Sequence, residues 1–283
     1  MDYTYFLNKS IVITNINCNN NAINVVPDFC SVTFEVDTNT IDLTGVLLYL
    51  NNLISDYNFN IKYCLNANII TLNSYGLASH ASHPELGINA ISRILIILNC
   101  LFKKYKIHID LFDFFEHYIN TEFNGNLLNL NNKNDESGNL TLNVGNVFLE
   151  NNILKLELNL RIPVFTKSSD IESCFDVYLK NYSNVTYKHK RFQEPLYLNK
   201  SSTLITTLCS CYNEITNSKL PPIAIGGATF ARAFKNFASF GPTFPGDRDM
   251  CHQTDEFIEI DKLMLCCKLY AEAILKFGGA IDN

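Results

Sequence analysis

The stretch Leu154-Lys155-Leu156-Glu157-Leu158-Asn159-Leu160-Arg161-Ile162 decides how most of this chain folds. Apolar and polar side chains alternate along it, and a period of two is typical of a half-buried antiparallel strand. Residues 30–36 alternate in the same way. Because successive side chains of a strand point to opposite faces, the alternation predicts that Arg161 lies on the polar face, away from the core.

Helical patterns lie between these strands. A helix is predicted from Pro84 and Glu85 onward, because both residues suit a first turn and apolar residues then follow at helical spacing. These apolar residues are Ile88, Ile91, Leu95, Leu98 and Phe102. Further helices are predicted around residues 111–118 and 170–182. Strands covered by helices on one face indicate an α+β domain over roughly residues 23–191.

The pattern changes after Pro195. An amphipathic helix is predicted over residues 202–215, and the Pro221-Pro222 pair then interrupts regular structure. A last helix is predicted over residues 261–277. Its predicted buried face consists of Ile260, Leu263, Met264, Cys267, Ala271 and Ile274. No change in composition marks the junction between the two regions.

Composition argues against several classes of protein. The 283 residues suffice for one large or two ordinary domains, each with its own core. The formal net charge is −6 and the longest basic run is Lys188-His189-Lys190-Arg191, so we expect no nucleic-acid partner. The longest apolar run, residues 94–102, lies between Arg93 and Lys103. It is too short to span a bilayer, so we expect no membrane segment.

Cysteine usage predicts the compartment. Ten cysteines occur in a chain with no apolar segment at its N-terminus. Thiols stay free in a reducing environment, so this usage predicts a cytoplasmic protein. Spacing does not favour structural zinc, because no second pair accompanies Cys209 and Cys211, and Cys266 and Cys267 lie within a helical pattern.

Two segments near the C-terminus carry residue types suited to a site. Gly226 and Gly227 let backbone approach a ligand where a Cβ would collide. Behind the Pro245-Gly246 turn, His252 offers an imidazole, a common metal ligand, and the neighbouring Cys251 stays open as a second candidate. A catalytic zinc needs about three protein ligands, so from these residues alone a histidine hydrogen-bonded within a turn is the alternative.

Five motifs, in order, resemble those of the M20 metallopeptidases, in particular the PepV-type dipeptidase branch. They are residues 24–28, residues 76–90, residues 135–145, residues 159–164, and the C-terminal pair formed by residues 225–232 and 244–256. The resemblance covers the chain from about residue 20 to its end.

The resemblance implies a fold in two parts. The first is an α+β lid domain, an antiparallel sheet with helices on one face, and the second is the C-terminal portion of an α/β zinc-peptidase catalytic domain. Residues 23–193 would form the lid, and residues 194–283 would form the C-terminal part of the catalytic domain. Residues 1–22 would be a remnant of the catalytic domain leading into the lid.

The resemblance also implies roles for single residues. His80 resembles the lid histidine that stabilises the oxyanion formed on the substrate carbonyl, and His252 resembles the family's C-terminal metal ligand. Substrate binding is implied for Asn24, Arg161, Gly226, Gly227 and Thr229. From the residues alone, Arg161 would be an exposed strand arginine and Asn24 a turn cap, and both alternatives stay open.

Enzymes that this chain resembles hold two zinc ions, and an N-terminal half supplies most of the ligands and the general base. Only His252 matches that ligand set here, so we expect a C-terminal portion of a zinc-dependent dipeptidase. Its expected partners are a dipeptide substrate and a separately encoded N-terminal half, and the complete enzyme would be a monomer. The alternative is a catalytically inactive remnant or binding module. We interpret His83 and the His108-Ile109-Asp110 sequence as non-catalytic.

Overall fold

The computed structural model describes residues 1–4, 10–18, 22–131, 135–248, 250 and 255–279. The chain divides into two compact units, Met1–Gln193 and Glu194–Asn283. All elements named below belong to the described residues. The identification of the first unit as a lid and of the second as part of a catalytic domain stays a prediction.

The first unit contains two antiparallel sheets. One has the strand order β6-β7-β1-β8, with β1 at Asp2–Thr4, β6 at Thr141–Glu150, β7 at Ile153–Arg161 and β8 at Val185–Thr186. The other has the order β2-β3-β5-β4, with β2 at Ile11–Asn17, β3 at Phe29–Val36, β4 at Ile61–Asn66 and β5 at Ile69–Tyr75. The predicted antiparallel strands are confirmed, although they form two hydrogen-bonded sheets and not one. Strands β1 and β2, from the predicted catalytic remnant, pair within these sheets.

The β6–β7 hairpin explains why the quoted stretch folds as it does. Asn151 and Asn152 form its turn with φ angles of 51° and 61°, and two successive positive φ angles are the mark of the tight turn that suits twisted strands. Leu154 and Leu156 are buried, as the alternation predicts. Arg161 lies on the opposite face but is half-buried, not exposed.

Four helices complete the first unit, namely α1 at Leu43–Tyr57, α2 at Ala90–Lys104, α3 at Asp110–Tyr118 and α4 at Ser168–Leu179. Helix α2 contacts β3, β5 and β6 as well as α1 and α3. Its apolar run is buried on nearly every side, which makes it the central core helix of the unit. No helix of the described ranges has the length and hydropathy needed to cross a membrane.

Helix α2 begins at Ala90, later than predicted, and Pro84–Leu86 forms a separate 3-10 turn. The cause is a backbone bridge in which Leu77 N donates to Ile88 O at 3.0 Å and Ile88 N donates to Leu77 O at 2.8 Å. This pairing holds the chain extended through Ile88. The helix therefore starts only after Asn89, whose side-chain oxygen caps its first turn.

The second unit contains two helices packed against each other, α5 at Thr203–Thr216 and α6 at Ile260–Gly278. The buried residues of α6 are Cys266, Leu269 and Ala273. The predicted buried face of α6 is wrong, because all six of its residues are exposed, with Ile260 at 78% and Ile274 at 70%. Helix α5 and the loop around Pro242, whose carbonyl accepts from Cys266 Sγ at 3.9 Å, cover a neighbouring side of α6.

Candidate functional site

Asn24 and His80 are brought together by two extended segments of the first unit. Val25 and His80 form an antiparallel bridge. Beside it, Ala81 N donates to Asn24 O at 2.9 Å. The backbone therefore fixes Asn24 next to the His80 segment, although the two residues are far apart in the sequence.

One nitrogen of the His80 ring is occupied by Ser82. Ser82 N donates to His80 Nδ1 at 3.2 Å, and Ser82 Oγ lies 2.5 Å from the same nitrogen. A backbone N–H can only donate, so this geometry assigns Nδ1 as the acceptor and places the proton of the neutral ring on Nε2. The half-buried imidazole thus has a donor suited to a developing negative charge.

The Asn24 side chain is available for an additional interaction. Asn24 is half-buried, and its side-chain amide has no hydrogen-bond partner within the ranges that the structure describes. An asparagine amide offers two N–H donors and one acceptor oxygen. A turn cap would use that oxygen, and no such bond is seen in those ranges; the binding role of Asn24 stays a prediction.

A buried asparagine holds this arrangement in place. Asn143 is 2% exposed, and its Nδ2 donates to Ile23 O at 3.2 Å and to Val25 O at 2.9 Å. These are the carbonyls on either side of Asn24. Asn143 Oδ1 accepts from Asn89 Nδ2 at 3.0 Å. Because Asn89 also caps α2, one side chain joins β6, the start of α2 and the Asn24 segment.

Two glycines are required by close backbone packing around these segments. A Cβ on Gly76 would lie 2.0 Å from Ile88 O, and a Cβ on Gly145 would lie 2.6 Å from Ile23 O. Real side chains do not approach a carbonyl oxygen so closely, so only glycine fits at either position. Gly145 lies at the irregularity of β6, where the register against β7 shifts.

Arg161 lies near the same segments through β6. It pairs with Thr141, and Thr141 Oγ1 donates to Ala81 O at 3.0 Å. The guanidinium Nε of Arg161 donates to Asn159 Oδ1 at 3.0 Å, on the same face of β7. The first unit therefore brings Asn24, His80 and Arg161 into one region.

The chain after Arg161 is anchored by Asp135 and Ser137. Val164 N donates to Ser137 Oγ at 2.9 Å, and Phe165 N donates to Asp135 Oδ2 at 3.1 Å. Burial raises the pKa of Asp135, but hydrogen bonds from Ser137, Phe165 and Val164 outweigh it, so the pKa lies below its usual value of 3.8. The ionised carboxylate thus stabilises the turn that follows β7.

A cavity of about 230 Å³ borders the Asn143 network. Asn89 and Asn143 line it together with Arg93, whose guanidinium carbon lies 4.9 Å from the centre of the Phe59 ring. Burial lowers the pKa of Arg93. The residues predicted to bind substrate are absent from its described lining.

Gly226, Gly227 and Thr229 lie in the second unit, just before a 3-10 turn at Phe230–Ala233. Thr229 Oγ1 lies 2.6 Å from Ser239 Oγ. A Cβ on Gly227 would meet nothing within 4 Å, and its φ angle is not positive. Packing of the described residues therefore does not require glycine there, and the backbone stays open to a ligand or partner.

The predicted metal ligand His252 lies outside the described residues, as does Cys251. Elsewhere, the described ranges hold no group of three His, Cys, Asp or Glu side chains that could bind a metal ion. His83 Nδ1 lies 3.2 Å from Glu85 Oε1, and the His108 side chain is 69% exposed.

Comparison with known proteins gives the following matches. The profile of "Peptidase family M20/M25/M40" matches residues 13–276. "Putative dipeptidase YtjP" of Bacillus subtilis is 31% identical over 261 residues, which make up 90% of this chain and 54% of that protein. A "Putative dipeptidase" of Staphylococcus epidermidis is 28% identical over 255 residues, 89% of this chain and 53% of that protein. This chain spans about half the length of these relatives.

Proposed function

The chain belongs to peptidase family M20/M25/M40, and from this membership we propose that it is the C-terminal portion of a metal-dependent dipeptidase. The observation that carries the proposal is the pairing of the His80 and Asn24 segments, with Arg161 close by through Thr141. Names of the relatives support a dipeptide as the substrate.

His80 is proposed to stabilise the oxyanion that forms when the peptide carbonyl is attacked. Its ring is oriented by Ser82 so that Nε2 carries the proton in the neutral form. A donor of this kind contributes roughly 2.7–4 kcal/mol to the transition state, or about a hundred- to a thousandfold in turnover. The contribution is to the reaction and not to binding of the substrate.

In the first unit, Arg161 is proposed to bind the substrate carboxylate, and in the second unit, the backbone at Gly226 and Gly227 is proposed to bind substrate. A guanidinium presents two parallel N–H donors that match the two oxygens of a carboxylate. Open backbone at Gly227 supports the approach of an anionic group to main-chain N–H donors. Asn24, in the first unit, and Thr229, in the second, are each proposed to bind polar atoms of a substrate.

Zinc is proposed as the cofactor of the complete enzyme, with two ions per active site and His252 as the ligand from this chain. The described residues do not fit a metal centre by themselves, because they hold no group of three donor side chains. A catalytic zinc needs about three protein ligands. The remaining ligands and the general base are therefore proposed to come from an N-terminal half.

A separately encoded N-terminal half is the proposed protein partner. The second unit leaves large apolar side chains in contact with solvent, including Phe230 at 96% and Ile223 at 83% exposure. Apolar patches of this kind are typical of protein interfaces. We further propose that the assembled enzyme contains one copy of this chain and works in the cytoplasm, without nucleic acid or membrane as partner.

The experiment is a comparison of two histidine variants in the natural assembly, recovered through a tag on this chain. His80→Ala is expected to lower dipeptide turnover about a hundred- to a thousandfold, with a modest change in KM. His83→Ala, three positions away, is the matched control and should keep turnover within about twofold. An active assembly whose His80→Ala variant keeps full turnover would reject the proposed role.

The second candidate function is a catalytically inactive remnant or binding module, favoured by the lack of a metal-binding group in the described residues. Zinc analysis of the natural assembly separates the two. The dipeptidase proposal expects two zinc ions per copy of this chain, whereas the remnant would bind none firmly.

A further inference from the structure

Two cysteine thiols lie in direct contact at the end of the β2–β3 pair. Cys18 Sγ lies 2.7 Å from Cys30 Sγ. The strand register pairs Asn17 with Ser31, so the two cysteines are the next opposed positions across the ladder. Cys18 Sγ also lies 3.6 Å from Val147 O, which holds it against β6.

No other two cysteines of the described residues make such a contact. The described residues contain nine free cysteines, and among them only Cys18 and Cys30 have sulfur atoms in contact. A disulfide bond is about 2.05 Å long, so the sulfurs need to approach by only about 0.7 Å. Two thiols fall short of the three or four ligands of a zinc site, which favours covalent pairing over metal binding.

The two thiols differ in accessibility, and the surroundings of Cys30 disfavour its thiolate. Cys30 is fully buried, whereas Cys18 is half-buried. The hydrogen bond with Cys18 and burial raise the pKa of the Cys30 thiol well above its usual value. A thiol that stays protonated is a poor nucleophile, so Cys18 is the residue that a reagent from solution meets first.

We propose that Cys18 and Cys30 are a reversible modification site, at which a low-molecular-weight disulfide such as oxidised glutathione converts the dithiol into an intramolecular disulfide. The Cys18 thiolate attacks one sulfur of the reagent and releases the first glutathione thiolate. Cys30 then attacks the Cys18 sulfur, and its proton passes to the second glutathione as that leaves. Two electrons and two protons move from the protein to the reagent, giving two molecules of reduced glutathione.

The new bond closes the segment that carries Asn24 and Val25. That segment runs from Cys18 to Cys30 and pairs with His80 through Val25. A cross-link at its base reduces the conformations open to it. Formation of the bond does not depend on the proposed dipeptidase function, whereas any effect on turnover does. In the proposed cytoplasmic setting a disulfide is usually transient, so we expect this bond to form under oxidising conditions and to be reduced again afterwards.

The test is peptide mapping of the full chain after treatment of the reduced, native protein with oxidised glutathione. Remaining thiols are blocked with N-ethylmaleimide in denaturant, and the chain is cut before aspartates. Cleavage before Asp28 separates Cys18 from Cys30, so a disulfide leaves the two peptides joined until reduction. The expected product is this joined pair, lighter by about 2 Da than the sum of the reduced peptides, and reduced glutathione restores the thiols.

Matched variants complete the test. Cys18→Ser should leave Cys30 fully blocked by N-ethylmaleimide and abolish the joined pair. Cys64→Ser removes an exposed thiol of β4 that contacts no other sulfur among the described cysteines and should leave the joined pair unchanged. The proposal is overturned if native wild-type protein ends with glutathione on Cys18 and a free Cys30 thiol, or if the joined pair forms only in denaturant.

Discussion

Replacing Asn143 by leucine tests the network that positions the candidate site. Leucine has the same branched arrangement of side-chain heavy atoms but neither donates nor accepts hydrogen bonds. The substitution removes the bonds to Ile23 O and Val25 O and the bond accepted from Asn89 Nδ2. Asn89 Nδ2 keeps a bond to Val144 O at 2.9 Å. Most of the lost stability therefore comes from the Ile23 and Val25 carbonyls, which lose their donor.

The size of the effect follows from these contacts. Each buried hydrogen bond contributes about 1 kcal/mol, and a buried group left without a partner costs about 1–3 kcal/mol. Asn143→Leu should therefore lower the free energy of unfolding of the first unit by about 2–4 kcal/mol. The Ala81 amide donates to Asn24 O and reports on the same segment. A loss of this size should make its hydrogen exchange on the order of thirty- to several-hundredfold faster than in the wild type.

The assay combines urea unfolding, followed by circular dichroism, with amide hydrogen exchange. Amide hydrogen exchange measures the stability of the Ala81 segment separately, because a chain of two units need not unfold in one step. Asn146→Leu is the matched control on the same strand, since Asn146 Nδ2 makes one long bond of 3.4 Å to Glu157 Oε2. Its expected loss is below about 1 kcal/mol. If the free energy of unfolding of Asn143→Leu stays within about 0.5 kcal/mol of wild type and Ala81 exchange is unchanged, Asn143 does not position the Asn24 segment.

Three further predictions concern packing, pH and the exposed surface. Gly76→Ala should destabilise the first unit by about 3 kcal/mol or more in urea titrations, because its Cβ would strike a carbonyl oxygen. Gly227→Ala is the control and should change stability by less than about 0.5 kcal/mol. Asp135→Asn should lower stability at neutral pH. Because the folded pKa of Asp135 is depressed, this difference should be present above pH 3.8 and should vanish as the pH falls through the folded pKa; a difference independent of pH would contradict it. Ile274→Lys on the exposed side of α6 should reduce aggregation of the isolated chain in light scattering and weaken recovery of the proposed partner.

Local pattern was sufficient to predict much of the fold. The alternation through Leu154 and Leu156 predicts β7 with the correct buried face. Helices α3 to α6 lie close to their predicted ranges. Helix α1 was not predicted, and the start of α2 was predicted too early because the bridge between Leu77 and Ile88 is a tertiary contact that local periodicity does not show.

The candidate site depended more on motif resemblance than on pattern. Asn24 and His80 were singled out from their motifs, but their adjacency comes from backbone pairing between distant segments. Asn143 lies within one of the quoted motifs, but the sequence predicts no role for it. An asparagine that alternates with apolar residues is typical of the polar face of a strand. The burial of Asn143 appears only in the fold. The exposed face of α6 was predicted as buried because periodicity identifies an apolar side without identifying what covers it.

Recovering the natural assembly of this chain from its own cells, through a tag after Asn283, and measuring its dipeptide hydrolysis tests whether the chain is part of a working dipeptidase. We expect the tagged chain to be recovered joined to, or together with, a polypeptide that supplies the missing metal ligands. We also expect the assembly to hydrolyse dipeptides with two zinc ions bound. Recovery of this 283-residue chain alone, without zinc and without hydrolysis, would rule out the proposed dipeptidase function.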